Sequence, residues 1–131
     1  MHENFFHKLK VYYEDTDSGG VVYYANYLKF FERARTEFLN SINLSNNILL
    51  TNHGVLIVVK SCNIEYKKSA KLEDELEIVS SVISKTKTSF IMKQVVKLDQ
   101  VLISEAETHL VTVNQEGKPV QIPKILNDFL D

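Results

Sequence analysis

Tyr13-Glu14-Asp15-Thr16-Asp17-Ser18-Gly19-Gly20-Val21-Val22, running into Tyr23-Tyr24-Ala25-Asn26-Tyr27-Leu28-Lys29-Phe30-Phe31-Glu32-Arg33-Ala34-Arg35-Thr36-Glu37-Phe38, decides how this chain is read. The first part is a polar, glycine-bearing turn. In the second, Lys29, Glu32, Arg33, Thr36, Glu37 and Asn40 recur at helical spacing, while Tyr24, Tyr27, Leu28, Phe31, Ala34 and Phe38 fill the opposite side. The spacing predicts one long amphipathic helix that starts between Tyr23 and Asn26. Ahead of the turn, Phe6 to Tyr13 alternates loosely and is rich in aromatic and β-branched residues, the mark of a strand.

Beyond the helix, Ser45 to Gly54 is rich in Asn and Ser and reads as an irregular connection. From there the pattern is β. Val55 to Val59 is a β-branched run that passes into alternation, with Cys62, Ile64 and Tyr66 on one side and Ser61, Asn63 and Glu65 on the other. Further strands are predicted over Glu73 to Ser84, Ser89 to Leu98 and Val101 to Asn114. Lys85-Thr86-Lys87-Thr88 and Asp99-Gln100 are short enough for antiparallel hairpins. Gly117-Lys118-Pro119 makes a turn that leads to Ile122-Pro123 and a short apolar tail, read as a turn of helix ending at Leu130. The expected architecture is α+β, with a strand, a long helix and then a four-stranded antiparallel meander curved round the helix. An open sheet of this kind has edges to manage, and pairing with a second copy is one solution.

With 131 residues, of which 44% are hydrophobic and 24% charged, the chain is expected to form one domain over residues 1–131. A net charge of −2 argues against bulk attraction to nucleic acid or an anionic membrane. No basic leader followed by an apolar run is seen, and no stretch approaches the ~18 apolar residues of a membrane span. One cysteine, Cys62, allows neither an internal disulfide nor a cysteine-based metal site. These features lead to the expectation of a soluble cytoplasmic protein. Cys62 itself is expected to be a buried core thiol. His2, His7, His53 and His109 do not have a metal-ligand spacing, and none lies near a serine nucleophile motif.

The chemistry concentrates in Asp15-Thr16-Asp17-Ser18-Gly19-Gly20. These residues suit an ordinary turn. They do not suit a calcium loop, although Asp15, Asp17 and Gly20 occupy the first, third and sixth positions of one: the twelfth is Asn26 instead of a bidentate Glu, and a strand precedes the turn. They do suit catalysis. A carboxylate beside a helix N-terminus meets free N–H groups able to polarise a carbonyl, while the carboxylate or a water it activates attacks the carbon.

Val11 to Tyr27, followed by Phe31-Glu32-Arg33-Ala34-Arg35-Thr36-Glu37, closely resembles the signature of the 4-hydroxybenzoyl-CoA thioesterase family. Within that family it is most similar to the YbgC-like acyl-CoA thioesterases associated with the Tol-Pal system. Ile64 to Ala70, Glu73-Asp74-Glu75-Leu76, Thr88-Ser89-Phe90, Gly117-Lys118-Pro119 and Ile122-Pro123 match more loosely, so the resemblance covers nearly the whole chain. It implies a hot-dog fold, hydrolysis of acyl-CoA thioesters without a cofactor or metal, and active sites at the interface of a homodimer that often pairs again into a tetramer. It carries the catalytic carboxylate onto Asp17, not Asp15, and the carbonyl-polarising backbone N–H onto Tyr24, where many YbgC-like members have His. Gly19, Gly20, Val21 and Tyr27 would then line the substrate site. CoA phosphates need cations. By family position Lys87 and Ser89 are assigned to them first, and Lys67 and Lys68 next.

Two other functions suit a chain of this type. A hot-dog dehydratase would need a His paired with an acid, and none lies in the Asp17 block. A non-catalytic module would bind acyl-CoA or acyl carrier protein without releasing thiol. Arg35 interrupts the apolar helix face and is expected to be a buried cation paired with a carboxylate.

Overall fold

The structure is a computed structural model that describes residues 4–130, so His2 lies outside the described residues. Strand β1 (Phe5–Lys10) leads through a short 3₁₀ turn (Tyr13–Asp15) and the glycine turn to helix α1 (Asn26–Ser41). Helix α2 (Asn46–His53), strands β2 (Leu56–Tyr66), β3 (Glu75–Lys85), β4 (Ser89–Leu98) and β5 (Val101–Val113), and the short helix α3 (Lys124–Asn127) follow.

All five strands form one antiparallel sheet in the order β1-β3-β4-β5-β2. The expected four-stranded meander is therefore reduced to β3, β4 and β5. Strand β2 crosses to the far edge and pairs with β5, because eight residues separate it from β3, far more than a hairpin needs. Between β4 and β5 the link is a tight hairpin. Asp99 and Gln100 both have positive φ (48° and 70°), as the type I′ turn requires. Register shifts in β2 (Val59/Ser61), β3 (Val82/Ser84) and β4 (Val96/Lys97) mark bulges that bend the sheet.

Alternation selects the concave face. Leu76, Ile78, Ser80 and Val82 of β3 and Phe90, Met92, Gln94 and Val96 of β4 point inward and are buried. Against them α1 lays Phe30, Phe31 and Ala34, none more than 1% exposed. The helix stripe is rotated from the expected one, since Phe30 is buried and Leu28 is half exposed. A second cluster at the other end joins Leu39, Leu49, Phe90, Leu110, Leu126 and Leu130, so that α2 and α3 close that end of the sheet.

Other expectations need correction. The Ser45–Gly54 connection is helical: the Ser45 hydroxyl accepts from the Ile48 amide at 3.0 Å, and Gly54 ends the helix at φ 66°. Only Leu49 on that helix is buried, which is why periodicity does not reveal it. The first strand stops at Lys10 instead of Tyr13, because the chain tightens into a 3₁₀ turn that ties Asp15 N–H to Tyr12 and Thr16 N–H to Tyr13. Cys62 is exposed, since β2 is an edge strand whose outer portion α1 does not cover. The Arg35 guanidinium donates to the neutral Gln94 side chain at 3.0 Å, not to a carboxylate. Burial pushes Arg35 down from its ordinary value, and attraction to Glu32 opposes that. Gln94, fully buried, is satisfied from both ends, for its amide nitrogen donates to the Phe31 carbonyl and the Ser80 hydroxyl, each at 3.0 Å.

Phe30→Ala should lower unfolding stability by about 3–5 kcal/mol, the range for truncating a fully buried aromatic. Urea titration of the two proteins measures it.

Candidate functional site

The segment from Tyr12 to Asn26 is held by its own backbone. Asp17 N–H donates to the Val21 carbonyl at 2.9 Å and Gly20 N–H to the Asp17 carbonyl at 3.0 Å, which folds Asp17 to Val21 into a tight loop. Gly20 has φ 81°, a conformation that costs an L side chain free energy and glycine almost none. Thr16 and Val22 close the loop by a bridge.

Its two carboxylates are placed differently. Asp15 is 5% exposed, and its side chain accepts from the Tyr12 amide at 2.8 Å. Its role is structural. Asp17 is exposed, and its Oδ1 accepts from the Gly19 amide at 2.8 Å, while its other oxygen has no partner among the described residues. A β-carbon on Gly19 would come within 3.3 Å of that Oδ1, so glycine here keeps space for the carboxylate.

Helix α1 begins at Asn26, after Tyr24 and Ala25. Ala25 occupies the N-cap position and provides no side-chain cap. Asn26 N–H donates to the Tyr23 carbonyl and Tyr23 N–H to the Asp15 carbonyl, but among the described residues the Tyr24 and Ala25 amides have no acceptor. Two backbone donors are thus left at the positive end of a sixteen-residue helix, beside the loop that presents Asp17.

The connection after β2 packs on the same loop. Val22 N–H donates to the Ala70 carbonyl at 2.9 Å, Val21 bridges Lys71, and the buried Tyr27 hydroxyl accepts from the Ala70 amide at 3.2 Å. Burial raises Tyr27 above the ordinary phenol value, opposed by that amide bond. Tyr66 touches Tyr24 edge-on at 6.0 Å and Tyr27 at 5.7 Å, so an aromatic wall flanks the helix start.

Gly19, Gly20 and Val21 thus share the Asp17 loop, Tyr24 lies at the helix start that Tyr23 and Asn26 tie to Asp15, and Tyr27 joins the same loop through Ala70, while Lys67 and Lys68 stand at the same end of the sheet, with both amides on the Ile103 carbonyl. Lys67 pairs with Glu65 at 2.9 Å; that hydrogen bond holds Glu65 below, and Lys67 above, their ordinary values. Lys87 and Ser89 lie at the other end of β3, eleven residues or about 33 Å along the strand. Ser89 is buried and bonded to the Thr86 hydroxyl at 2.7 Å. Spacing along the chain gives Tyr66 and Ala70 no role at the site and offers Lys71 only as one of several lysines available for phosphate. Tyr66 and Ala70 fall in the Ile64–Ala70 block and Lys71 directly follows it, but nothing in that block's spacing connects it with the turn. Among the described residues, no group of His, Cys, Asp and Glu is arranged to hold a metal, and no helix is long and apolar enough to cross a membrane.

Tyr27→Phe removes the acceptor of a buried amide, so it should cost about 1–3 kcal/mol in a urea titration. An unchanged midpoint would mean that the Ala70 contact contributes nothing.

Residues 11–130 match the family model of the thioesterase-like superfamily. The acyl-CoA thioesterase YbgC of Haemophilus influenzae is 38% identical over 95% of this chain and 92% of its own. The acyl-CoA thioester hydrolase YbgC of Escherichia coli O6:H1 is 42% identical over 88% of this chain and 87% of its own. In three dimensions, a probable thioesterase from Bartonella henselae superposes with a TM-score of 0.89 at 31% identity, covering 92% of this chain and all of that one. The chain belongs to the thioesterase-like superfamily, with the hot-dog fold and the YbgC acyl-CoA thioesterases as its relatives.

Proposed function

We propose that this protein hydrolyses acyl-CoA thioesters to the free carboxylic acid and CoA, at the Asp17 loop and the start of α1. One observation supports this above the others: an exposed carboxylate with one oxygen held by Gly19 and the other unengaged stands beside a helix start whose Tyr24 and Ala25 donors have no partner among the described residues. A thioester carbonyl accepting the Tyr24 N–H would place negative charge where the helix end stabilises it as the tetrahedral centre forms.

Asp17 then acts by one of two routes. As nucleophile, its free oxygen bonds to the carbonyl carbon, the C–S bond breaks, CoA leaves as thiolate and takes up a proton, and water cleaves the mixed anhydride. As general base, it takes a proton from a water that attacks the same carbon, and passes it to the departing sulfur. Neither route needs a cofactor or metal. Label in the Asp17 carboxylate after one turnover in heavy-oxygen water identifies the nucleophilic route, because water that opens the anhydride at the Asp17 carbonyl leaves its oxygen there and general-base action does not.

CoA phosphates are met by Lys67 and Lys68 from the same chain. Lys87 and Ser89 would serve only from a second copy, since they stand at the far end of β3. Strand β2 suits such a copy: it is a long edge strand on which Leu56, Val58, Val59 and Tyr66 are each at least 36% exposed. We therefore read the working unit as a homodimer, with a dimer of dimers as the larger assembly, acting in the cytoplasm. Native mass spectrometry should show an even multiple of the 131-residue chain, and a monomer under assay conditions would refute this.

Asp17→Asn should keep the fold and lower turnover by about 10²–10⁴, the range for lost base catalysis. Thiol release from a panel of short, long and aromatic acyl-CoAs, and from the same acyl groups on acyl carrier protein, measures it and identifies the preferred substrate. Near-normal turnover would remove Asp17 from its role, and tight binding without thiol release by the unaltered protein would make it a binding module.

A further inference from the structure

We infer that Asn26 is a positioning residue: its side-chain amide, bonded to the Asp15 carbonyl, holds the Asp17 loop and the start of α1 in the relation that both ends of a thioester carbonyl require. This role rests on the assignment of Asp17 and Tyr24 above.

Asn26 is the first residue of α1. Asn is a strong capping residue one position earlier, where its side-chain oxygen would consume a free helix N–H. Here it stands one place late. Ala25 takes the cap position, and the Asn26 Nδ2 donates backwards, across eleven residues, to the Asp15 carbonyl at 2.9 Å. The same carbonyl accepts from the Tyr23 amide at 3.0 Å, so both of its lone pairs are engaged, one by each side of the Tyr24–Ala25 pair. The Asn26 backbone N–H closes the set on the Tyr23 carbonyl at 2.8 Å. Tyr24 and Ala25 are thereby clamped between two anchored residues, with their own amides without an acceptor among the described residues.

The anchor is firm. Asp15 is buried and bonded to Tyr12, and it lies two residues before Asp17. Among the described residues, loss of the Asn26 bond would leave the Tyr23 amide as the remaining hydrogen bond from the helix start to Asp15, so loop and helix would move more freely against each other. Misplacement by about 1 Å at a reacting centre can cost about 100-fold in rate.

Two variants test this in the full-length protein, with the most rapidly cleaved acyl-CoA of the panel. Asn26→Ala deletes the donor. Asn26→Asp deletes it while keeping the shape and adding a negative charge that favours a helix N-terminus, so the fold is retained. Both should lower kcat by about 10- to 100-fold with KM within about threefold of the unaltered value. Because the two groups serve one step, adding Asn26→Ala to Asp17→Asn should cost far less than Asn26→Ala costs alone. Unaltered kcat in either folded variant, a loss confined to KM, full additivity with Asp17→Asn, or failure of both variants to fold would each overturn the inference. If Asp17→Asn itself keeps normal turnover, the proposed function fails and takes this role with it. If Asp17→Asn is impaired and Asn26→Ala is not, only the role of Asn26 fails.

Discussion

Burial of Phe30, Phe31 and Ala34 on the concave face of the sheet is the constraint on which the rest of the structure depends. Each fully buried aromatic contributes about 1.5–3 kcal/mol by removal from water, and the three together fix the axis and rotation of α1. Once that helix is seated, its first turn has one place to lie. Tyr24, Ala25 and Asn26 come to the end of the sheet where β1 ends and β3 begins, and the connection that carries Asp17 must close the distance between them. The geometry at Asp17 is thus a consequence of core packing two turns away.

The polar contacts that complete this arrangement are few, and each satisfies a group that would otherwise be costly to bury. Gln94 joins helix to sheet through the Phe31 carbonyl and Ser80 and accepts from Arg35, so it holds a cation at the helix–sheet layer without a carboxylate hydrogen-bonded to it among the described residues. Tyr27 and Val22 fasten the turn to Ala70. The Tyr24 and Ala25 donors, without an acceptor among the described residues, depart from this economy, and their place at a helix start tied to the loop that carries Asp17 supports a function for them. Conversely, Asp15 and Asp17, two residues apart and alike in chemistry, have different surroundings: one is buried and bonded to the Tyr12 amide, and the other faces solvent.

Much of this is legible in the amino-acid sequence. The long helix, though not the rotation of its buried stripe, the glycine turn, the hairpin at Asp99-Gln100 and the strands over Ser89–Leu98 and from Val101 onward all depend on contacts between near neighbours in sequence, and local pattern records those directly. The short helix Asn46–His53 escaped because it buries only Leu49, although Ser45 and Gly54 marked its two ends. Strand β2 misled in another way. Its apolar alternation is real, but alternation does not say whether a strand lies inside a sheet or at its edge, so it predicts Cys62 in the core, whereas the thiol stands exposed.

By itself, then, the sequence determined the kind of elements, the position of the turn before the long helix and the family to which the chain belongs, since each is written in local periodicity or in one ungapped block of residues. Tertiary structure decided the strand order, the partner of Arg35, the distance that separates Lys87 and Ser89 from Asp17 within one chain, and the link from Asn26 to Asp15. These are pairings between residues from eleven to about seventy positions apart. They exist only once burial of the apolar faces has brought distant segments together, and no spacing along the chain encodes which donor will meet which acceptor.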